Sequence, residues 1–452
     1  ARLTPLGWTC IGKLPTYERQ GRQKGTFWTY CVGDLEEEVR RFWELEEPWQ
    51  GNEEYSPKEK EIWERSLNSM TWTEDHYEVS LPWKSETIKI NGDIRMAEKR
   101  LNSLRLRFSK DKALEKEYTE VISEYINKGY VRRLTEEEKL ETRWWVPHFP
   151  VIRRDKETTK VRVVFDAAAK VQDTSLNDQL ETGPKLQRNI IDVLLRFRKY
   201  KASDVSEMYM QVKVKSEDRK HLRFLWWEGN ELVTYEMGRV MFGLNAAPFL
   251  AQLVVQEGSK RWLEEYPRAV ETVTSSTYMD DSLESVPTDE MAINLRSQLE
   301  KVWSSLGMTT GKWLTNSKKL LEEIPEHQRS KRLDLEDKEK LTVKTLGVCW
   351  NPADDRFAIT SKVDAGVKIT RRNFLSIVAR VFDPLGLICP FVIRAKILTQ
   401  EMCIEGSEWD EEVSPRLQLE VRQWLSECQK LETIRISRCL IQGSSDKSQL
   451  QS

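Results

Sequence analysis

The sequence predicts an α+β fold in which a split-βαβ sheet is backed by helices. Three observations lead to this prediction. Between residues 201 and 313 the predicted elements follow the order strand, hairpin, helix, hairpin, helix, strand. The chain has 452 residues, of which 39% are hydrophobic and 32% charged, so it can form a large core over several subdomains. No stretch approaches the roughly 18 consecutive apolar residues of a membrane-spanning helix, so we expect no membrane partner.

Residues 1–90 are interpreted as an N-terminal linker or extension, because they are rich in Trp and follow no long periodic pattern. Short helices are predicted over residues 34–46 and 56–69, the second with Pro57 near its start. The first residue is Ala1, and the apolar core of a signal peptide is missing. We therefore expect a fragment, or a piece of a longer polyprotein.

Residues 91–203 combine helices with a basic hairpin. Apolar residues at helical spacing predict two helices between residues 95 and 128, and Gly129 is suited to end the second one. Two prolines keep residues 145–152 extended, and Val161–Phe165 returns as a strand after a polar turn. The hairpin therefore carries cations at its tip and on its second strand.

Residues 204–350 contain most of the predicted sheet. Asn245 is expected to cap a helix that extends to about Tyr266, with Pro248 in its first turn. The other predicted elements are a helix over 187–199, a strand over 201–205, hairpins at 222–235 and around Tyr278–Asp281, a helix over 289–306, and strands over 308–313 and 346–350.

Residues 351–440 are predicted to be mainly helical, with helices over 371–381, 390–402 and 415–431. Residues 441–452 have the composition of a linker.

The net charge of −2 argues against indiscriminate nucleic-acid binding, although basic stretches occur at residues 95–112, 153–162 and 196–201. The seven cysteines are scattered without a CxxC pair, so neither a disulfide framework nor a zinc site is predicted. A reducing, intracellular compartment fits this cysteine usage best.

The tetrapeptide Tyr278-Met279-Asp280-Asp281 puts two adjacent carboxylates at the tip of a predicted hairpin. Like charges so close repel unless a cation lies between them, and Mg²⁺ prefers carboxylate oxygens. Asp204 ends another predicted strand and would supply a third carboxylate. Three carboxylates around two magnesium ions, with Mn²⁺ as an alternative, are suited to in-line phosphoryl transfer. Solvated turn aspartates and an ordinary strand-terminal aspartate are the structural alternatives.

Other residues suggest a nucleotide substrate. Tyr209 could pack under a sugar and clash with a 2′-hydroxyl, although it could equally be a core aromatic residue. Arg162, with Arg154 or Lys156, could bind a triphosphate, since Arg offers paired donors to phosphate. Gly243, after Phe242, would allow close approach of the backbone to a nucleotide or template.

Several phrases resemble reverse transcriptase motifs, and they occur in the same order. These are Arg162-Val163-Val164-Phe165-Asp166, Ser203-Asp204-Val205, Phe242-Gly243-Leu244-Asn245-Ala246-Ala247-Pro248, Tyr278-Met279-Asp280-Asp281, Lys312-Trp313 and Leu346-Gly347-Val348. Longer phrases are similar to the BEL/Pao retrotransposon polyprotein: Ser175-Leu176-Asn177-Asp178, Leu194-Leu195-Arg196-Phe197-Arg198, Lys312-Trp313-Leu314-Thr315-Asn316-Ser317 and Phe382-Asp383-Pro384-Leu385-Gly386-Leu387.

The resemblance implies a right-hand polymerase fold. Residues 91–203 would be the fingers, interleaved with a palm. Residues 204–350 would be that palm, with the catalytic hairpin and a primer grip, and residues 351–440 a helical thumb or connection. Residues 441–452 would lead toward a ribonuclease H domain that is not included.

The resemblance also implies roles for single residues. Asp204, Asp280 and Asp281 would carry the metals, and a further set would contact the substrates: Arg162 and Arg154 at the triphosphate, Tyr209 as sugar gate, Phe242 and Gly243 beside the nucleotide, Lys312 as proton donor to pyrophosphate, and Leu346 and Gly347 at the primer. Retroviral enzymes have Gln-Gly in place of Phe242-Gly243, so one side-chain hydrogen bond near the nucleotide is missing here.

The function expected from this resemblance is that of an RNA-directed DNA polymerase, acting on an RNA or DNA template-primer and dNTPs. The expected partners also include the ribonuclease H and integrase parts of the same polyprotein, in a cytoplasmic particle or in the nucleus. The alternative is a catalytically inactive, domesticated nucleic-acid-binding module. The closest enzymatic alternative is an RNA-copying polymerase that makes RNA, and Tyr209 is the residue that would discriminate between the two activities. An aspartic protease would need Asp-Thr/Ser-Gly turns, whereas the chain has Asp173-Thr174-Ser175 and Asp281-Ser282-Leu283.

Overall fold

The computed structural model describes residues 2–4, 7–9, 55–88, 90, 92–152, 161–199, 201–205, 211–308, 310–311, 313–330, 343–360, 366–406 and 408–440. For residues 2–4, 7–9 and 201–205 it describes the backbone alone. The chain divides into two compact units, residues 1–58 and 59–452. In the first unit, strand β1 (Arg2–Thr4) pairs antiparallel with β2 (Gly7–Thr9).

The first half of the second unit alternates helices with short strands. The elements in chain order are α1 (Pro57–Ser69, starting at the boundary), β3 (Thr71–Trp72), β4 (Tyr77–Val79), α2 (Ile94–Lys110), α3 (Lys112–Asn127), β5 (Val131–Arg133), α4 (Glu136–Lys139), β6 (His148–Ile152), β7 (Val161–Phe165), α5 (Leu176–Gln179), α6 (Ile190–Phe197), β8 (Lys201–Val205), β9 (Lys213–Val214), α7 (Ser216–Arg219), β10 (Arg223–Glu228) and β11 (Glu231–Met237).

The second half continues in the same way and ends in helices. Its elements are α8 (Ala247–Ser259), α9 (Pro267–Ser275), β12 (Thr277–Tyr278), β13 (Asp281–Val286), α10 (Asp289–Ser304), β14 (Leu314–Thr315), α11 (Lys318–Glu323), β15 (Val343–Thr345), β16 (Val348–Asn351), β17 (Arg356–Ala358), α12 (Arg371–Arg380), α13 (Cys389–Ile404), α14 (Pro415–Lys430) and β18 (Arg435–Ser437).

The central sheet is antiparallel and has the strand order β12-β13-β8-β14. Helices α9 and α10 pack against β13. A second antiparallel sheet has the order β15-β16-β17-β18, and a third has the order β10-β11-β5. Strands β6 and β7 form a hairpin of their own.

A hydrophobic cluster joins α6, the central sheet and the second sheet. Leu283 and Leu314 come from the central sheet and Trp350 from β16, and all three are at most 2% exposed. Phe197 of α6 packs edge-on against Trp350, with ring centroids 5.2 Å apart. Burying such large apolar surfaces holds the two sheets together.

The C-terminal helices α12, α13 and α14 have a core of their own around Trp424, which stacks on Phe391 with centroids 4.9 Å apart. After α14 the chain returns to the second sheet as β18, which pairs with β17. The fully buried Arg438 then forms a forked ion pair with Asp355, at 2.5 Å for Nε–Oδ1 and 2.9 Å for Nη2–Oδ2. Arg438 also donates to the Phe197 carbonyl at the end of α6.

Several predicted elements are present, and a few differ in detail. Gly129 has φ +65° just after α3, as expected of a residue that ends a helix. Asn245 does not cap α8, whose N-cap is Ala246, although Pro248 does lie in the first turn. The predicted strand over 308–313 begins later, at Leu314. Helix α9 was not predicted, and the helix predicted over 34–46 lies outside the described residues.

Candidate active site

The turn between β12 and β13 consists of Met279 and Asp280, and Tyr278 pairs with Asp281 across it. Met279 has φ +58°, which matches the first central position of a type II′ hairpin turn. Below the turn, the hydroxyls of Thr277 and Ser282 are 2.7 Å apart and hydrogen bonded. The Gln252 amide on α8 donates to the Met279 carbonyl at 3.4 Å. The turn is thus attached to both its own strands and α8, while Asp280 is exposed and Asp281 half-buried.

The position of Asp204 follows from the strand register. Its Cα is paired with Leu283 on one side and with Leu314 on the other, so position 204 lies in the middle of the sheet, one residue from the end of β8. Asp281 precedes Leu283 by two residues and is therefore a diagonal neighbour of position 204, at a spacing of about 7–8 Å in antiparallel ladders. The register brings three aspartate positions to one end of the sheet.

A buried carboxylate, Glu284, attaches β13 to α9. It is 3% exposed, and its oxygens accept from the Arg268 guanidinium at 3.0 Å and from the hydroxyls of Thr272 and Ser276 at 2.9 Å each. The backbone N–H of Ser285 also donates to it at 2.9 Å. With four donors the hydrogen-bonding capacity of this buried carboxylate is satisfied. Because three of the donors come from α9 and the residue after it, Glu284 fixes the strand that begins at Asp281 to that helix.

Arg162 lies on β7, exposed, opposite Val151. It is close enough to Tyr125 on α3 to affect that phenol: burial raises the pKa of Tyr125 to about 12, and the charge of Arg162 partly opposes the rise. At the end of β7, the Phe165 N–H donates to the Phe242 carbonyl at 3.1 Å. Strand β7 is thereby joined to the loop that contains Phe242 and Gly243.

Gly243 is the point of closest backbone approach in this loop. Its φ is +113°, and a Cβ on it would lie 1.8 Å from the carbonyl oxygen of Phe165. Real Cβ atoms do not come so near, so the contact requires glycine. The sequence predicted a close backbone approach of Gly243 to a nucleotide or template, and that stays a prediction. The close approach that the structure shows is to Phe165 of β7.

Two asparagines bind this loop to the segment after β7. The Asn245 N–H donates to the Asn177 side-chain oxygen at 3.0 Å, and the Asn245 side chain also donates to the Asn177 carbonyl at 3.0 Å. The Asn177 side chain also donates to the Gly243 carbonyl at 3.0 Å. The two sequence phrases that contain these residues are therefore in direct contact.

Leu346 and Gly347 form the turn between β15 and β16, with φ +45° and +87°. Positive φ at both central residues is the type I′ pattern, typical of tight hairpins. A Cβ on Gly347 would lie 2.4 Å from the Phe382 ring, so this turn contacts the segment after α12. Tyr278 and Leu346 pack against the same hydrophobic cluster, which links the two hairpins.

The remaining predicted site residues, Arg154, Tyr209 and Lys312, lie outside the described residues, and only the backbone of Asp204 is described. Among the side chains that the structure describes, no group of three or more His, Cys, Asp or Glu could hold a metal ion. Within those same residues, no helix has the length and apolar character to cross a membrane.

Sequence reasoning did not single out Gln252 or Glu284 as site residues. Gln252 occupies an interior position of an otherwise apolar helix, which is a signal for a buried polar contact. Glu284 lies in a predicted strand, where alternation alone predicts solvent exposure.

Comparison with known proteins gives one family. The model of the Pao retrotransposon-like RNaseH-like domain matches residues 370–452. The match supports a Pao retrotransposon polyprotein. It covers α12, α13, α14 and β18. It does not reach the candidate site residues Asp204, Asp280 and Asp281. No curated protein matches the chain significantly.

Proposed function

We propose that the chain is the RNA-directed DNA polymerase of a Pao-type retrotransposon, which adds dNTPs to a primer on an RNA or DNA template. The observation that carries this proposal is the register of β13 on β8, which makes Asp281 a diagonal neighbour of position 204 next to the Met279-Asp280 turn. Binding alone would not require aspartates at all three positions.

The donor set fits two Mg²⁺ ions, or Mn²⁺, because carboxylate oxygens are the ligands that such hard cations prefer. Asp204, Asp280 and Asp281 would hold them. When bound, these ions would lower the pKa of an attacking 3′-hydroxyl and neutralise the departing pyrophosphate. The exposure of Asp280 leaves the end of the sheet accessible to a nucleic acid and a nucleotide.

The other residues would position the substrates. Arg162, with Arg154, would bind the triphosphate, since guanidinium groups pair with phosphate oxygens. Gly243 and Phe242 would form the wall beside the nucleotide, held on β7 and on Asn177. Tyr209 would exclude a 2′-hydroxyl, and Lys312 would give a proton to pyrophosphate.

In this proposal the central sheet is the palm of a right-hand polymerase. The Leu346-Gly347 turn would hold the primer terminus, because it shares a hydrophobic cluster with Tyr278. Helices α12 to α14 would be the thumb or connection. Their common core around Trp424, and the return of β18 to the second sheet, support a structural role for this range. The RNaseH-like family model matches this same range. The integrase activity would come from another part of the polyprotein.

Primer extension tests the proposal directly. The full chain with Mg²⁺, a primed RNA template and labelled dNTPs should extend the primer. Asp280→Asn should lower the rate at least about 100-fold, because a lost metal ligand removes several kcal/mol of transition-state stabilisation. Asp354→Asn changes an exposed aspartate on another turn and serves as the matched control. Equal extension by Asp280→Asn would refute the proposal, and tight binding without any extension would favour an inactive nucleic-acid-binding module.

Sugar selection gives a second test. Replacing Tyr209 by Ala should admit ribonucleotides while dNTP incorporation continues. Unchanged discrimination between dNTP and rNTP would remove Tyr209 as the sugar gate and leave the polymerase proposal standing.

A further inference from the structure

Helix α2 has an unusually one-sided charge. It contains six cations, Arg95, Lys99, Arg100, Arg105, Arg107 and Lys110, and a single anion, Glu98. Its apolar face, Ala97, Leu101, Leu104 and Phe108, is buried in the protein. The cations therefore lie on the outer face, where they are exposed.

The neighbouring helix α3 is different. Its cations are matched by carboxylates within the same helix, and Lys112–Glu115 is an ion pair of 2.6 Å. In α2, Arg95 is paired with Asp93 at 2.9 Å and Arg105 stacks on Trp227, 4.7 Å from the ring centroid. Among the described residues, no carboxylate forms an ion pair with the other four cations of α2. Ion pairs within a helix neutralise much of its surface charge. Because these four cations lack such pairs, their positive charge is available to a partner.

The four unpaired cations, Lys99, Arg100, Arg107 and Lys110, are named the α2 basic stripe. At 100° per residue they fall within an arc of about 100° on the helix. From Lys99 to Lys110 the stripe is roughly 16 Å long, at 1.5 Å per residue. A nucleic-acid strand with one phosphate per 3.4 Å would place about five phosphates along that length.

We infer that the α2 basic stripe binds the phosphate backbone of a nucleic acid. Helix α2 packs on β6, the partner strand of the one that carries Arg162, and on β10. The stripe thus belongs to the same part of the molecule as the proposed triphosphate ligand. The inference goes beyond the proposed polymerase, because a binding module without catalysis would use the stripe in the same way.

An anionic membrane is a less suitable partner. Helices that lie on a membrane insert large apolar side chains, whereas the apolar face of α2 is already buried. Leu106, 68% exposed, is the one large apolar side chain on the outer face of this helix.

The test is the salt dependence of binding, measured by fluorescence anisotropy with the full chain. The probes are a labelled 20-nucleotide oligo(rA), the same strand in a duplex with oligo(dT), and vesicles containing phosphatidylserine, over 50 to 200 mM KCl. The variant is Lys99→Gln, Arg107→Gln, Lys110→Gln, because Gln keeps the helix propensity and removes charge. The control Lys60→Gln, Lys318→Gln, Lys430→Gln removes the same charge from exposed positions on other helices.

Each phosphate contact contributes about 0.7 to the salt slope for a single strand, so the variant should lower the slope by about 2 relative to wild type. The control should retain the wild-type slope. Equal slopes for wild type and variant, an equal loss in the control, or loss of vesicle binding alone would each overturn the inference. The two nucleic-acid probes decide whether the stripe prefers a single strand or a duplex. The salt slope is measured without dNTPs and without turnover, so a failed primer extension by the wild-type chain would not affect this result.

Discussion

Asn245 donates two hydrogen bonds to Asn177: its N–H donates to the Asn177 side-chain oxygen and its side-chain amide donates to the Asn177 carbonyl, both at 3.0 Å. They are 68 residues apart in the chain. This pair fixes the loop before α8 to the segment that follows β7. The candidate nucleotide side of the site is therefore assembled by amide hydrogen bonds between the loop before α8 and the short helix α5.

Replacing either asparagine by Ala should destabilise the protein by about 1–3 kcal/mol, because a partly buried donor or acceptor is left without its partner. The double variant should cost less than the sum of the two, with a coupling energy of about 0.5–3 kcal/mol. Urea unfolding of wild type, both single variants and the double variant measures the cycle. Strict additivity would show that the two residues act independently.

Gly243→Ala should be far more harmful than Gly229→Ala. The new methyl group would lie 1.8 Å from the Phe165 carbonyl oxygen at position 243 and would meet nothing within 4 Å at position 229. Both glycines have positive φ, so Gly229→Ala measures the strain of the left-handed region, about 1–2 kcal/mol, and the φ of +113° at Gly243 adds further strain. The difference in the free energy of unfolding between the variants reports the clash together with this added strain. Equal losses would mean that β7 and the loop separate without cost.

Arg438→Met should cost about 3 kcal/mol, since it removes a fully buried donor from the Phe197 carbonyl and from the half-buried Asp355, which keeps the Trp350 indole N–H. The control is Arg416→Met, which breaks the exposed pairs with Glu401 and Glu420 and should cost below about 1 kcal/mol. Denaturant midpoints and slopes for both variants measure the effect. Similar losses in the two variants would contradict a stabilising role for the buried pair.

Acid should destabilise the fold through His148. Burial lowers the pKa of His148 to about 4, and its ring nitrogens meet the Tyr118 hydroxyl at 2.6 Å and the Leu225 carbonyl at 2.9 Å. The carbonyl only accepts, so Nε2 carries the proton and Nδ1 accepts from Tyr118 in the neutral ring. Since the unfolded pKa is 6.5, the unfolded chain binds the extra proton first as the pH falls.

The free energy of unfolding is therefore unaffected by the titration of His148 above pH 6.5. It falls by up to roughly 3 kcal/mol as the pH falls from 6.5 toward 4. Urea unfolding between pH 7 and 4 should show a shallower acid loss for His148→Gln than for wild type. The exposed His327→Gln is the control. Parallel profiles for wild type and His148→Gln would rule out this histidine as the source. Burial also lowers the pKa of His221 to about 4, so part of the acid loss should remain in the variant.

Periodicity and turn chemistry in the sequence were enough for most elements. The helices α2 and α3, the β6–β7 and β10–β11 hairpins and the Met279-Asp280 turn follow from apolar spacing, Pro positions and local polarity, which are local properties. Asn245 shows the limit of such reasoning. Its type and position suit a helix cap, yet its side chain donates to the carbonyls of Asn177 and Leu180, in α5 and at its C-terminal end. This tertiary contact outweighs the local preference.

The sequence predicts the candidate site residues that are carboxylates at strand ends. It does not predict the buried polar residues that hold those strands in place. Asp280 and Asp281 are recognisable in the sequence as adjacent charges in a predicted turn. Glu284 reads as an exposed strand residue, because its partners Arg268, Thr272 and Ser276 come together only when α9 packs on β13. Arg438 belongs to the same class, since Asp355 and Phe197 are remote from it in sequence.

Ala358 of β17 lies directly across from Arg435 of β18, so the chain leaves the second sheet and rejoins it at neighbouring positions about 5 Å apart. Topologically, α12 to α14 are an insertion within a β-hairpin. A short turn could in principle join the two strands without cutting the sheet. Because α12 to α14 have a core of their own, replacing them by such a turn should leave the pairing of β12, β13, β8 and β14 intact.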